Sequence, residues 1–362
     1  MIWVLIPFIW GVVWIIWNAA CLPKMKGHTH TASFSILIPL RNESARVDTL
    51  MQHLMKIRYP KVAFLLYDDA STDDTYAKLK SYIAKEPRLT IKQGTQLPEG
   101  WRGKPHACQQ LSKQATGDIL LFIDADVVLA PETLYQLDAT FTRTKADAIS
   151  GFARFQNESV LEKLLTPLLH FFIYFHLPII LANRRQMVAA TAASGAFIAV
   201  KRTVYEAIGG HAAVKADIVE DVALFRAIKR QRYRAILCHV ADDVRCAMYG
   251  SSKATWRGFQ KNCFQAFGES YVFAIGVCLF YSSYFVLPLA CAIYSVSTQQ
   301  WIWAVPFLCI TLQRCISDVH ARQFSLYSLL MPISALIYVA LLIYTMIYKK
   351  GNKTTYWKGR AL

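Results

Sequence analysis

Three stretches of the chain carry no charged residue and are long enough to cross a membrane. They are residues 1–23, 271–313 and 323–348, and a spanning helix needs about 20 apolar residues. The first stretch lacks the basic start of a signal peptide, and Lys24 and Lys26 follow it. Because basic residues stay on the cytoplasmic side, residues 1–23 are predicted to be an uncleaved anchor whose C-terminal end lies in the cytoplasm.

Between these stretches, short apolar runs alternate with segments of helical spacing. The apolar spacing over residues 44–57 predicts a helix with Ser44 as a candidate N-cap. Strand, helix, strand, helix with acidic residues at the strand ends is typical of a doubly wound, mostly parallel α/β sheet. Ligands of such sheets bind beyond the carboxyl ends of the strands. Buried strands are predicted at residues 34–40, 62–67, 89–92 and 118–123.

Composition narrows the class of protein. The chain has 362 residues, of which 54% are hydrophobic and 18% charged, against about 25% charged in soluble domains. These values exclude disorder, collagen-like repeats and a small disulfide scaffold. The net charge of +16 suits an anionic inner leaflet better than nucleic acid, for which no motif is present. The nine cysteines include no Cys-x-x-Cys pair, so buried thiols in a reducing compartment are expected rather than metal cages or disulfides.

Four acidic strings follow one another along the central region. Ile36-Leu-Ile-Pro-Leu-Arg-Asn-Glu43, Tyr67-Asp-Asp-Ala-Ser-Thr-Asp-Asp-Thr75, Asp124-Ala-Asp126 and Glu220-Asp221 together resemble the ordered signature of family 2 glycosyltransferases with the GT-A fold. Gly100-Trp-Arg-Gly-Lys-Pro-His-Ala107 and Trp357-Lys-Gly-Arg360 are similar to strings in membrane-anchored members that glycosylate lipids. Among these are the apocarotenoid (4,4'-diaponeurosporenoate) and hopanoid-associated glycosyltransferases.

The resemblance implies transfer of one sugar, with inversion, from a nucleotide diphosphate sugar to a lipid acceptor such as an apocarotenoid or a hydroxylated lipid. A UDP-sugar is the expected donor. The departing diphosphate needs a positive partner, and Mg²⁺ or Mn²⁺ held by few carboxylates can supply it. The resemblance assigns the metal to Asp126, and assigns Asp124 to the donor ribose or the metal. The alternative is that the two acids cap a turn and the following helix.

The same resemblance assigns the donor site. Asp69 matches the position that recognises the nucleobase, where a carboxylate can accept from a uracil N–H. Pro39, Arg41 and Glu43 lie on the first loop, which wraps the uridine in the family. Lys104 can offer a point charge to the diphosphate, and a solvated surface lysine is the alternative.

The paired acids Glu220 and Asp221 carry the catalytic prediction. Paired carboxylates allow one to act as base while the other orients it or holds an acceptor, and the family role falls on Asp221. The alternative is a pair of helix-start acids favoured by the helix dipole. A hydroxyl acceptor needs a base, whereas a carotenoid carboxylic acid is already ionised at pH 7, so the acceptor's functional group stays open.

Two other functions compete with this hypothesis. One is a polyprenyl-phosphate sugar synthase, whose acceptor is a phosphate. The other is a non-catalytic membrane scaffold with a relic GT-A domain. No Gln-x-x-Arg-Trp motif follows the acid pair, which favours a single transfer over polymer synthesis.

The membrane organisation follows from the position of the acids. A GT-A domain over 34–268 contains an apolar insert at 160–182. If that insert crossed the membrane once, the acids on either side of it could not share a site, so we expect it to be interfacial or re-entrant, or buried in the domain.

Residues 271–348 are predicted to form two or three membrane helices, followed by a basic tail over 349–362. Basic residues in that tail place it inside, and the protein is expected in the cell membrane as a multi-pass chain with a cytoplasmic catalytic domain.

Overall fold

The computed structural model describes residues 2–184, 187–217, 219–351, 356–357 and 360–361. Parts of the predicted tail over 349–362, including the middle of the string Trp357-Lys-Gly-Arg360, lie outside the described residues. The strands are β1 (Phe34–Leu40), β2 (Val62–Asp68), β3 (Leu89–Gln93), β4 (Ile119–Ile123), β5 (Val127–Leu129), β6 (Ala148–Ser150), β7 (Arg154–Phe155), β8 (Phe197–Lys201), β9 (Ala235–Leu237), β10 (Val244–Cys246), β11 (Tyr356–Trp357) and β12 (Arg360–Ala361).

The helices alternate with the strands up to β10 and then dominate the chain. They are α1 (Ile2–Ala20), α2 (Val47–Met55), α3 (Thr75–Lys80), α4 (Gly103–Ser112), α5 (Thr133–Thr144), α6 (Val160–Leu165), α7 (Leu168–His176), α8 (Ile179–Ala182), α9 (Arg202–Ala207), α10 (Glu220–Arg230), α11 (Ser252–Cys263), α12 (Tyr271–Tyr281), α13 (Leu287–Thr298), α14 (Val305–His320) and α15 (Met331–Lys350). Short 3₁₀ turns lie at Gly210–Val214, Gln265–Phe267, Trp301–Ala304 and Leu326–Leu329. A π-helical turn at Ser282–Val286 joins α12 to α13.

A seven-stranded sheet has the strand order β3-β2-β1-β4-β8-β6-β9. Strands β3, β2, β1 and β4 run parallel to one another, and β6 runs parallel to β9. Only β8 is antiparallel to the strands beside it. The predicted mostly parallel α/β sheet is therefore confirmed. All five residues of β4 are buried, which explains why that strand is a continuous apolar run in the sequence.

The predicted helix over 44–57 exists, but its start was wrong. Helix α2 begins at Val47, and Arg46 precedes it without a side-chain cap. The backbone N–H of Ser44 donates instead to Asp73 at 3.1 Å, and its carbonyl accepts from Lys78 at 2.9 Å. These contacts come from the following loop and helix, so helical spacing within residues 44–57 could not reveal them.

The chain divides into two compact units. One unit, called the catalytic unit because it contains the predicted site residues, comprises residues 22–154 and 178–246, and the other, called the membrane unit, comprises 1–21, 155–177 and 247–362. Among the described residues, four helical segments, all in the membrane unit, are long and apolar enough to cross a membrane. They are Trp3–Ala20, Tyr271–Thr298, Trp301–His320 and Met331–Lys350.

Most of the apolar insert belongs to the membrane unit. Helices α6 and α7 contain six and nine residues, and a nine-residue helix is only about 14 Å long against about 30 Å of hydrocarbon. The amide of Asn18 on α1 donates to the carbonyls of Tyr174 and Leu177 at 2.8 and 2.6 Å. The indole of Trp14 donates to the carbonyl of Phe175 at 2.9 Å. The insert thus packs on the N-terminal helix of its own unit.

A buried ion pair also lies in the membrane unit. Arg314 and Asp318 on α14 are 0% and 1% exposed and lie 2.7 Å apart. The guanidinium of Arg314 also donates to the carbonyl of Leu164 on α6 at 3.4 Å. One positive and one negative group, four residues apart on one helix, balance each other's charge.

Candidate active site

The predicted site residues come from the ends of the three strands β1, β2 and β4 and from the first turns of helices α4 and α10. Asp69 follows β2, Asp124 and Asp126 follow β4, and Glu220 and Asp221 open α10. Strands β1, β2 and β4 are parallel neighbours, so their carboxyl ends share one edge. The parallel arrangement of these strands therefore brings Asp69 close to Asp124 and Asp126, although they are far apart in sequence.

The loops after β1 and β2 interlock. The guanidinium of Arg41 donates to the carbonyls of Asp69 and Ala70 at 2.6 and 2.9 Å. The amide of Asp69 donates to the carbonyl of Leu40 at 2.7 Å. Asn42 and Ala70 have φ of 52° and 50°, a left-handed conformation that non-glycine residues rarely adopt. Arg41 therefore fixes the shape of the loop in which the buried Asp69 lies.

The other two residues predicted on the first loop differ in where they lie. Pro39 was predicted on the loop but lies in strand β1, opposite Tyr67, because the ladder with β2 extends to Leu40. The amide of Glu43 donates to the Thr75 hydroxyl at 2.8 Å, and its carboxylate lies 3.1 Å from the guanidinium of Arg46. Glu43 is buried, so this part of the loop carries a fixed, paired charge.

Asp126 is the acid whose surroundings fit a bound cation. Burial, and then the charge of Asp124, raise the pKa of Asp126 to about 7; Glu43 adds to the effect, while Arg46 and Lys104 oppose it. The buried Oδ1 atom of Asp126 has no hydrogen-bond partner. An ionised carboxylate whose buried oxygen accepts no hydrogen bond needs a positively charged neighbour, and a divalent cation would supply that charge.

The protein would contribute few ligands to such a cation. Within the described residues, no group of three or more His, Cys, Asp or Glu side chains could hold a metal ion. Asp126 and Asp124 are the carboxylates available at this position. Mg²⁺ and Mn²⁺ are commonly held by one or two carboxylates together with substrate phosphates, so this donor set fits a cation that binds with a diphosphate.

Lys104 lies at the centre of the charged cluster. Its Nζ atom lies 2.6 Å from Asp124 Oδ1 and 3.7 Å from Glu220 Oε1, and it donates to the carbonyl of Gly195 at 3.1 Å. Burial alone would lower the pKa of Lys104, but the charges of Asp124 and Glu220 outweigh burial and raise it. About one third of the side chain is exposed, so the ammonium is charged and can still reach a ligand.

Asp221 has the environment of a general base. Its Oδ2 atom accepts from the Gly195 amide at 2.7 Å, and its Oδ1 atom accepts from the Val222 amide at 2.8 Å. Burial, and then the charge of Glu220, raise the pKa of Asp221 to about 7, against the lowering effect of Lys104 and the two amides. A carboxyl whose pKa lies near the working pH is suited to accept a proton.

Gly195 is a site residue whose role the sequence did not reveal. A Cβ atom at this position would lie 2.9 Å from Lys104 Nζ and 3.4 Å from Asp221 Oδ2. Its carbonyl and amide contact these two residues, so Gly195 links the lysine to the candidate base. The run of small residues around it was the only signal in the sequence.

Cys246 is a second residue that the sequence analysis did not single out. This buried residue ends β10, and burial, followed by the nearby charge of Asp126, raises the pKa of its thiol. This proximity depends on pairing of β10 with β5, which no local pattern predicts.

A family model described as glycosyl transferase family 2 matches residues 35–209. Residues 35–209 are thus similar to a family 2 glycosyltransferase domain. The matched residues include every predicted site residue up to Asp126, as well as Gly195, and end before Glu220 and Asp221.

Relatives and a solved structure agree with the family 2 domain. The chain is 27% identical over 212 residues to a 4,4'-diaponeurosporenoate glycosyltransferase of Staphylococcus haemolyticus, covering 57% of this chain and 54% of that protein. A protein of the same name from Staphylococcus aureus is 36% identical over 113 residues, covering 29% and 28% of the two chains. The chain thus matches about half or less of the length of these relatives. A mannosyltransferase from Pyrobaculum calidifontis, solved in complex with GDP-Man and Mn²⁺, has a TM-score of 0.55 at 18% identity over 96% of both chains, which shows the shared GT-A fold.

Proposed function

We propose that this protein is a cation-dependent, inverting glycosyltransferase that moves one sugar from a nucleotide diphosphate sugar to a lipid acceptor. The observation that carries the proposal is the charge of the strand-end cluster. Lys104 faces Asp124 and Glu220, while Asp126 and Asp221 beside them have pKa values raised to about 7. A cluster with this excess of carboxylates stabilises bound positive charge.

Asp126 and Asp124 are proposed to hold Mg²⁺ or Mn²⁺, which neutralises charge on the departing diphosphate. Lys104 contributes a further positive charge on the same side of the cluster. The Mn²⁺ in the Pyrobaculum mannosyltransferase, which shares the fold, supports the use of a cation. That protein holds GDP-Man, so UDP- and GDP-sugars must both be tested as donors. Asp69 is proposed to accept a hydrogen bond from the nucleobase, with Pro39, Arg41 and Glu43 shaping the loop around it.

Asp221 is proposed to accept the proton of a hydroxyl acceptor as the hydroxyl attacks the anomeric carbon. The Gly195 and Val222 amides hold its two oxygens, so the carboxylate is oriented before the acceptor arrives. Glu220 keeps a neighbouring negative charge that favours proton uptake by Asp221. The relatives are named for a carotenoid carboxylic acid, an acceptor that would arrive ionised and would need no base.

The lipid acceptor is proposed from the membrane unit. The candidate spans support a multi-pass protein of the cell membrane with residues 1–23 as anchor, the 34–268 region cytoplasmic and 271–348 as the C-terminal membrane region. The short helices α6 and α7 support a re-entrant or interfacial insert. A tail on the cytoplasmic side requires an even number of crossings after the catalytic region. Of the three candidates there, Trp301–His320 contains the charged pair Arg314–Asp318 and is proposed not to cross.

Product analysis tests the proposal. Membranes containing the protein are incubated with isotope-labelled UDP- and GDP-sugars and extracted lipids, and the products are identified by mass spectrometry. A lipid that gains one labelled sugar, only with the protein and a divalent cation present, supports the proposal. A sugar on a polyprenyl phosphate would identify the alternative synthase, and the absence of donor turnover under all conditions would support the scaffold.

A further inference from the structure

Lys229 is a buried lysine that plays no part in the mechanism above. It lies on α10, is 2% exposed, and its Nζ atom donates to three backbone carbonyls. The acceptors are Ala182 at 2.5 Å, Ala190 at 3.1 Å and Met187 at 3.4 Å. No carboxylate among the described residues lies within ion-pair distance of it. A buried ammonium held only by carbonyls is costly to keep, so its position calls for an explanation.

The three carbonyls belong to the segment that leads from α8 to Gly195. At the start of this segment, the Asn183 amide donates to the Leu237 carbonyl at 3.1 Å and its oxygen accepts from the Leu237 amide at 2.8 Å. These bonds tie the segment to β9, the edge strand of the sheet. At the other end, the Ser194 amide donates to the Ser150 hydroxyl at 2.8 Å. Between these two sets of hydrogen bonds, Lys229 donates to the carbonyls of Met187 and Ala190.

Helix α10 contacts both ends of this segment. Asp221, in its first turn, accepts from the Gly195 amide at 2.7 Å, and Lys229 lies eight residues further along the same helix. At 1.5 Å per residue the two contacts are about 12 Å apart along the axis. Leu224, Phe225 and Ile228 bury the face between them, which fixes the helix on the sheet. A rigid helix that holds a loop at two points determines the path of the loop between them.

We propose that Lys229 is a positioning residue for the transfer reaction: it holds the carbonyls of Ala182, Met187 and Ala190 on α10, so that the Gly195 amide stays on the candidate base Asp221. This inference rests on the proposed function of Asp221. Without the ammonium, the three carbonyls would lose a shared donor and the segment would move off the helix. The hydrogen bond from the Gly195 amide lowers the pKa of Asp221. If that amide moved away, the pKa of Asp221 would rise.

The experiment compares the full-length protein with Lys229→Met and, as matched control, Arg230→Met on the same helix. Hydrogen exchange of residues 187–193 is measured by mass spectrometry and corrected for intrinsic rates. A methionine side chain in place of the lysine keeps the volume but donates nothing, so exchange is expected to rise about tenfold or more, with kcat falling and the acidic midpoint of the rate profile moving to higher pH. Arg230→Met is expected to leave all three unchanged.

Two outcomes would overturn the inference. One is unchanged exchange in the Lys229→Met protein. The other is faster exchange with unaltered kcat and acidic midpoint, which would make the lysine merely structural. If that variant does not fold, Lys229→Gln is measured in the same way; its shorter, neutral side chain cannot donate to all three carbonyls, so faster exchange of residues 187–193 is expected and unchanged exchange would contradict the inference. If no sugar transfer is found, the proposed function fails, while the exchange data still test the contact.

Discussion

The two units each contain a short ion pair, and the pairs differ in balance. In the membrane unit, Arg314 and Asp318 lie 2.7 Å apart and are at most 1% exposed. In the catalytic unit, Lys104 and Asp124 lie 2.6 Å apart with about one third of each side chain exposed. Distance does not distinguish them. The membrane pair is matched one to one and closed to solvent, whereas the lysine of the catalytic unit faces several carboxylates and remains accessible.

This difference indicates where a ligand is needed. A balanced, closed pair has no remaining charge for a ligand to meet, so its role is to hold elements together. Burial, and then repulsion between neighbouring carboxylates, raise the pKa values of Asp126 and Asp221 to about 7. Unbalanced negative charge in a desolvated place, which the membrane pair does not have, marks the candidate site.

Removing the carboxylate that is proposed to hold the cation is expected to have the largest effect. Asp126→Asn replaces a charge by a neutral amide, so cation-dependent transfer should fall about a thousandfold while folding is retained. Initial rates at saturating donor with Mn²⁺ or Mg²⁺ measure this effect. Asp74→Asn, at an exposed position, is the control and should be near normal. Full wild-type activity in excess chelator would remove the basis for the metal assignment.

In the membrane unit, the same kind of change should act on stability. Arg314→Met leaves Asp318 buried without its partner and is expected to destabilise the protein by about 3–5 kcal/mol. The midpoint of thermal unfolding in detergent reports the loss. The double variant Arg314→Met/Asp318→Leu should recover most of it, because no uncompensated charge remains. A single variant as stable as the double would mean that the pair is not balanced as described.

Substitution of the candidate base tests the acceptor. Asp221→Asn is expected to slow transfer to a hydroxyl acceptor by about a hundredfold or more. Burial raises the pKa of Asp221 to about 7, and only the ionised form accepts a proton, so wild-type activity should rise with pH through about 7 and the variant should lose this rise. Saturating Mn²⁺ keeps cation binding constant, and Asp217→Asn is the exposed control. Near-normal turnover on the true substrate would indicate an acceptor that is already deprotonated.

Gly195→Ala should have the smallest effect. The added Cβ would lie 2.9 Å from Lys104 Nζ, and the end of a flexible side chain can move aside, so the fold should survive. Displacement of Lys104 from the cluster is expected to lower transfer about tenfold. Gly276→Ala on α12, where a Cβ would meet nothing within 4 Å, is the matched control. Equal activities of the two variants would contradict the role given to Gly195.

The features that could be predicted from the sequence are those that depend on the pattern of neighbouring residues. Continuous apolar runs followed by acids predicted β2 and β4 with the acids at their ends, because burial and strand period act over a few residues. The start of α2 was predicted wrongly, since contacts of Ser44 with Asp73 and Lys78 come from the next loop and helix. The contacts of Gly195 and Lys229 depend on folding of segments far apart in the chain, and the run of small residues around Gly195 is too general a pattern to predict them.

Nucleotide binding tests the central claim most directly. Titration of the purified full chain with UDP and with GDP, monitored by calorimetry, compares Mn²⁺ with excess chelator in the wild type and in Asp126→Asn. If the strand-end carboxylates hold a cation that in turn holds the diphosphate, one of the nucleotides should bind the wild type at least about tenfold more tightly with Mn²⁺, and Asp126→Asn should abolish the difference. Equal affinity with and without the cation in the wild type would contradict the account.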